Sequence, residues 1–189
     1  MAVLYGTRLL RVAPLDPDGG VPDSPNWVSI TTPQQANINP VVIQGQQQEL
    51  RGGDRLIAVI RENDETVGVD IQFTDAVLNG EAMAVIAGGT FVADKYTPPA
   101  LGEPRTNFVA ELYVARYAEG SQHQSDIIGW VKFVFPNVSG NLPTFNTQDR
   151  TFLVPQFTLI CRDNNADNLR FMTFEFVADL PVTGGEGES

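Results

Sequence analysis

The run Val67-Gly68-Val69-Asp70-Ile71-Gln72-Phe73 alternates without a fault, placing Val67, Val69, Ile71 and Phe73 on one side and Gly68, Asp70 and Gln72 on the other. A side-chain period of two belongs to a strand with one face buried, and it excludes a helix over the same residues. Further runs read as extended. Ala2 to Val12 could pair with another element, Trp27 to Thr31 is a further short run, and Thr90-Phe91-Val92-Ala93 restarts extended structure. Four longer ones follow at Phe108 to Tyr117, Ile127 to Phe135, Thr151 to Arg162 and Leu169 to Ala178. Their Phe, Tyr, Val and Ile suit a pleated, half-buried surface. The chain is therefore expected to be mostly β.

Between these runs lie signals that set connections. Leu56-Ile57-Ala58-Val59-Ile60-Arg61 is continuously apolar and reads as a strand covered on both faces, joined through the charged turn Glu62 to Thr66 to the alternating run. These two are expected to pair as an antiparallel hairpin. In the last strand Met172, Phe174 and Phe176 share one side and are expected to face the core. Asp163 to Asn168 reads as a tight polar hairpin between the last two strands. Pro155 marks its strand as an edge or a bulge.

One stretch has helical spacing. Thr74 or Asp75 can cap it, and Gly88-Gly89 stops it after Ala87. Leu78, Ala82, Val85 and Ile86 form its apolar stripe, which would cover the open side of a sheet, while Gly80 inside weakens it. Pro and Gly forbid regular structure from Pro14 to Pro25 and from Pro98 to Pro104. The long connection from Gln34 through Gln48 is uncharged and rich in Gln and Asn, yet it holds Ile38, Val41, Val42 and Ile43. It reads as a functional loop or an extended hairpin that buries those residues against something, another subunit included.

Length and composition narrow the rest. At 189 residues, with 42% hydrophobic and 19% charged residues, the chain is expected to fold as one domain over residues 1–182, followed by a flexible acidic tail over 183–189. A net charge of −11 argues against gripping phosphates, which takes Lys and Arg. Ten of the twelve cations are Arg, which favours forked pairs with carboxylates at packed contacts. Cys161 is the single cysteine, so no disulfide can form within the chain, and its apolar neighbours give it the role of a small buried hydrophobe. The N-terminus has no signal-peptide pattern, and no window approaches a membrane span, which leaves the cytoplasm as the expected compartment.

Chemistry does not converge. His123 is the only histidine and sits in the polar loop Gly120 to Ser125, without a Cys or His partner for a triad or a metal. Asp163 and Asp167 lack the spacing of a calcium loop. Gly52-Gly53-Asp54 and Gly88-Gly89-Thr90 lack the Lys and Ser/Thr of a phosphate loop. Asp64 and Glu65 sit in a charged turn, where nothing raises a carboxyl pKa. The expectation is a protein with no catalytic, cofactor or metal residues.

The order of elements adds a resemblance. A hairpin preceded by a long loop, a helix ending in Gly88-Gly89, and aromatic strands carrying Arg116-Tyr117-Ala118-Glu119-Gly120-Ser121 and Gly129-Trp130-Val131-Lys132-Phe133-Val134-Phe135-Pro136-Asn137-Val138-Ser139-Gly140 resemble the tail tube proteins of tailed bacteriophages over about residues 50–178. The resemblance implies an antiparallel β-sandwich or barrel flanked by one α-helix. Its sheet edges would join copies into rings, and the rings would stack into a tube for DNA. It implies that the loop from about Asn37 to Arg55, with Ile38, Val41, Val42, Ile43, Gln44 and Gln46, reaches the neighbouring ring, and that an acidic channel wall lets DNA slide. Its implied partners are further copies and other tail proteins: tape measure, baseplate or tip, terminator and a possible sheath. Its implied place is the virion tail, assembled in the host cytoplasm. A carbohydrate- or receptor-binding β-sandwich is the alternative, and a capsid-associated or secretion-system inner-tube protein shares the same ring-forming logic.

Overall fold

The computed structural model describes residues 2–121, 123, 125–145, 149 and 152–181, so the expected acidic tail at 183–189 lies outside the described residues. Among them the chain forms twelve strands and one helix: β1 (Ala2–Pro14), β2 (Val28–Ile30), β3 (Pro33–Ile43), β4 (Gln47–Gly52), β5 (Arg55–Arg61), β6 (Glu65–Asp75), α1 (Gly80–Ala87), β7 (Thr90–Val92), β8 (Lys95–Thr97), β9 (Phe108–Ala118), β10 (Ile127–Gly140), β11 (Gln156–Cys161) and β12 (Thr173–Val177). The fold is mostly β and its ladders are antiparallel.

The main sheet runs β2-β1-β9-β10-β11-β6-β3, with β12 on β10. Its two ends are one stretch of chain. β2 bonds to β1, and after two residues β3 bonds to β6, so the corner at Thr31-Thr32 carries the chain from one edge of the sheet to the other. Ala76 N donates to Thr32 O, and Thr32 Oγ1 donates to the buried Asp75 carboxylate at 2.6 Å, which pins the corner to the end of β6. The sheet thereby curls over a single large cluster. Leu10 and Val12 of β1, Val69, Ile71 and Phe73 of β6, Phe108 and Leu112 of β9, Phe135 and Val138 of β10, and Phe157 and Leu159 of β11 all meet there. Phe73, Phe108 and Phe135 are fully buried. Truncating any of them to alanine would cost about 3–5 kcal/mol.

The helix plugs one side of this cluster with Ala82, Met83 and Ile86. It starts later than its apolar spacing suggests, because Thr74 and Asp75 are spent in β6, paired with β3 and β11. Asn79 caps it instead, its Oδ1 accepting from Glu81 N and Ala82 N at 3.0 and 3.1 Å. Leu78 consequently precedes the helix and is exposed, whereas Ala82, Val85 and Ile86 lie within it. Gly88, at φ 76°, ends the helix where Gly88-Gly89 was expected to.

Two pairings and one edge assignment differ from expectation. β5 pairs with β4 and not with β6, whose partners are β3 and β11. β11 and β12 both pair with β10 instead of with each other, so Asp163 to Asn168 is no strand-joining hairpin and keeps only the bridge Asn164–Leu169. Pro155 lies just before β11, which is interior, not an edge.

Candidate assembly surfaces

The β4–β5 pair is a hairpin that stands apart from the main sheet. Its turn is Gly53-Asp54, with Gly53 at φ 65° supplying the left-handed conformation that tight hairpin turns demand. The hairpin emerges through a narrow neck. Gly45 N donates to Asp64 Oδ1, Glu62 N donates to Gln46 O, and a Cβ on Gly45 would lie 2.0 Å from Glu62 O. Only glycine fits there.

Every residue of β4 and β5 is exposed, including Leu50, Leu56, Ile57, Val59 and Ile60, the last at 69%. The expectation that Leu56 to Arg61 is covered on both faces is thus reversed. Its continuous apolar pattern is present, but among the described residues no second layer reaches it. A lone two-stranded hairpin is marginal in water, and a contiguous apolar surface of this kind marks an interaction site.

The residues expected to form the inter-ring loop divide at the neck. Ile38 pairs with Ile71 and packs against the core, so it is part of the sheet. Val41 is half-buried opposite Gly68, while Val42 and Ile43 end β3 exposed. Gln44 and Gln46 lie between β3 and β4, in the neck. The apolar residues that project furthest, Leu50 and Leu56 to Ile60, were missed as a surface. Gly52-Gly53-Asp54 between two strand-like runs was the signal for them.

A second exposed apolar surface lies on β12. Phe174 and Phe176 pair with Phe133 and Val131, which places them on the core-facing side of the sheet, yet they are 60% and 63% exposed. They were expected in the core. The sheet runs past the end of the core here, and among the described strands β12 pairs with β10 alone. Leu4 and Arg116 are paired on the same side, and the Arg116 guanidinium sits 4.6 Å over the Phe176 ring. Arg116 Nε is buried and has no hydrogen-bond partner.

The outer faces differ in chemistry. Across β1, β9, β10 and β12 runs a line of charge: Glu111, 6% exposed, takes Arg11 and the Tyr113 hydroxyl at 2.8 Å and lies 3.7 Å from Lys132, which also pairs with Glu175. Trp27 stacks on Arg11 at 4.3 Å. Across β3, β6 and β11 the outward rows are Gln35-Thr74-Gln156 and Asn37-Gln72-Thr158, all uncharged. The next row brings Asp70, which Arg162 meets at 3.1 Å.

Reactive side chains are scattered. His123 is exposed in its loop, and its backbone N–H donates to Asp126. Cys161 is fully buried between β6 and β10. Among the described residues no group of three or more His, Cys, Asp or Glu is placed to hold a metal ion.

No family model and no curated protein matches the chain. Among solved structures, a chain of the anti-feeding prophage baseplate, determined by cryo-EM and 6-fold symmetrised, aligns over 90% of this chain and 94% of its own, at 13% identity and a TM-score of 0.46. A likeness that low carries no argument, and function rests on the surfaces described above.

Proposed function

We propose that this chain is a non-catalytic structural subunit of a phage-type tail tube, assembling from copies of itself into stacked rings around a channel for DNA. The observation that carries the reading is the hairpin β4–β5, whose large apolar residues are all exposed and which no other described element of its chain covers. Such an arm is stable only against another molecule. The order of elements that resembles tail tube proteins supplies the kind of assembly. In it the arm reaches from one ring to the next, and the ends of the tube meet other tail proteins in the virion.

The face of β3, β6 and β11 suits the channel wall. Its rows of Gln, Asn and Thr offer water-binding groups, and the cation in the next row, Arg162, is paired with Asp70, so little free positive charge faces a DNA duplex along it. On this reading the near-neutral balance of the face, rather than an excess of acid, is what lets DNA slide.

The test removes the arm at its neck, joining Gly45 to Asn63 through Asn-Gly. Because β4 and β5 are exposed throughout and pair only with each other among the described strands, the truncated protein should keep its thermal stability to within about 1 kcal/mol. Negative-stain images should show tubes for the parent chain and no tubes for the truncated one. Tubes of normal length from the truncated protein would refute the arm's role.

A further inference from the structure

Three adjacent strands bring a lysine between two carboxylates. Lys132 of β10 lies directly opposite Glu175 of β12 on one side and Tyr113 of β9 on the other, with Glu111 of β9 one diagonal step away. Lys132 Nζ touches Glu175 Oε1 and stands 3.7 Å from Glu111 Oε1. Glu111 is fixed through its other oxygen, since Oε2 accepts from Arg11 Nε and, at 2.8 Å, from the Tyr113 hydroxyl. One oxygen anchors the carboxylate while the second is left near the amine.

Burial separates the three groups by role. The lysine side chain is 19% exposed and that of Glu111 8%, so amine and inner carboxylate are largely out of water, whereas Glu175 at 55% opens to it. A charge pair held partly out of water carries a desolvation cost that a neutral amide does not. The ladder between β10 and β12 also keeps nucleophile and electrophile in contact, which turns a slow condensation between separate molecules into an intramolecular one.

We propose that Lys132 and Glu175 condense into an isopeptide bond, with Glu111 as the base. Glu111 takes a proton from the ammonium, and the freed Nζ attacks Glu175 Cδ. The bond from Cδ to one oxygen then breaks as Glu111 returns its proton to that oxygen and Nζ passes it a second one directly. The oxygen leaves with both protons as water into the solvent on the Glu175 side. Charge and atoms balance without an oxidant or a co-reactant. The product is a neutral amide across the outer face of the sheet. It ties down the strand that needs it, because β12 pairs with β10 alone among the described strands and four of its five residues are exposed. This proposal goes beyond the tube reading and stands without it.

Intact-mass spectrometry of the unfolded full chain reads the bond directly. The purified parent should be lighter than its sequence by one water, and Lys132→Arg and Glu175→Ala should each have the full sequence mass. Trypsin should leave Lys132 uncut and yield one branched peptide that joins it to Glu175. Glu111→Gln should fold, by its melting curve, and keep the full mass. Should that variant fail to fold, Glu111→Asp, which keeps the charge but draws the carboxylate back, should hold a larger full-mass fraction than the parent at equal age.

A parent of full mass overturns the proposal. So does a loss of water that persists in Lys132→Arg or that maps to other residues. A folded Glu111→Gln chain, or a Glu111→Asp chain, that forms the bond as fast as the parent overturns the part given to Glu111.

Discussion

Cys161 and Tyr113 show how burial sets the chemistry of single groups in this fold. Burial pushes the Cys161 thiol up to about 12, with the nearby Asp70 charge adding to the rise and Arg162 opposing it. Burial also raises the Tyr113 hydroxyl, helped by its hydrogen bond to Glu111. Both groups hold their protons more tightly folded than unfolded. Their contribution is therefore complete below about pH 9, the thiol's ordinary value, and is lost as pH climbs toward 12, the thiol's share at a limiting slope of about 1.4 kcal/mol per pH unit. Denaturant melts from pH 8 to 11 should show this decline. Cys161→Ala should cost about 1–2 kcal/mol at pH 7 and abolish the decline between pH 9 and 10, leaving the tyrosine's part above pH 10. A decline that is unchanged in the variant would remove the thiol from the account. The aliphatic reading of Cys161 was legible in its sequence neighbours Leu159 and Ile160, because a small thiol within an apolar strand has nowhere polar to go.

At the scale of elements, α1 illustrates what local sequence can and cannot decide. Its stop at Gly88 and its inward Ala82 and Ile86 follow from helical spacing. Its start does not, because β6 claims Thr74 and Asp75 through long-range pairing that no local pattern reveals. Gly80 looked like a flaw in the helix and is a packing requirement. A Cβ there would lie 2.2 Å from the Phe91 ring of the β7–β8 hairpin. Ala is the better helix former by about 1 kcal/mol, so propensity and packing oppose each other at this residue. Gly80→Ala should destabilise the protein by about 1–3 kcal/mol in denaturant melts, since the overpacking term is the larger. A stabilised variant would mean that Phe91 moves aside freely. The same limit explains β5 and β12. An apolar run says that something must cover it, but not whether the cover is its own chain or another.

For the whole molecule, the mostly β class, the single flanking helix and the aromatic strands were legible as periodicity, because a period of two over many short runs admits little else. The curled closure through the Thr31-Thr32 corner was not, since it depends on one stretch of chain bonding to both edges. The candidate surfaces were half legible. The long Gln- and Asn-rich connection was expected to project, yet its Ile38 packs in the sheet and the exposed apolar residues of the arm lie a strand further on. On the proposed reading, the apolar strands that outrun their own core are covered by further copies of the chain. Electron microscopy of the purified protein alone, at rising concentration, measures this most directly. The account predicts rings that stack into hollow tubes of constant diameter, and discrete single chains at every concentration would contradict it.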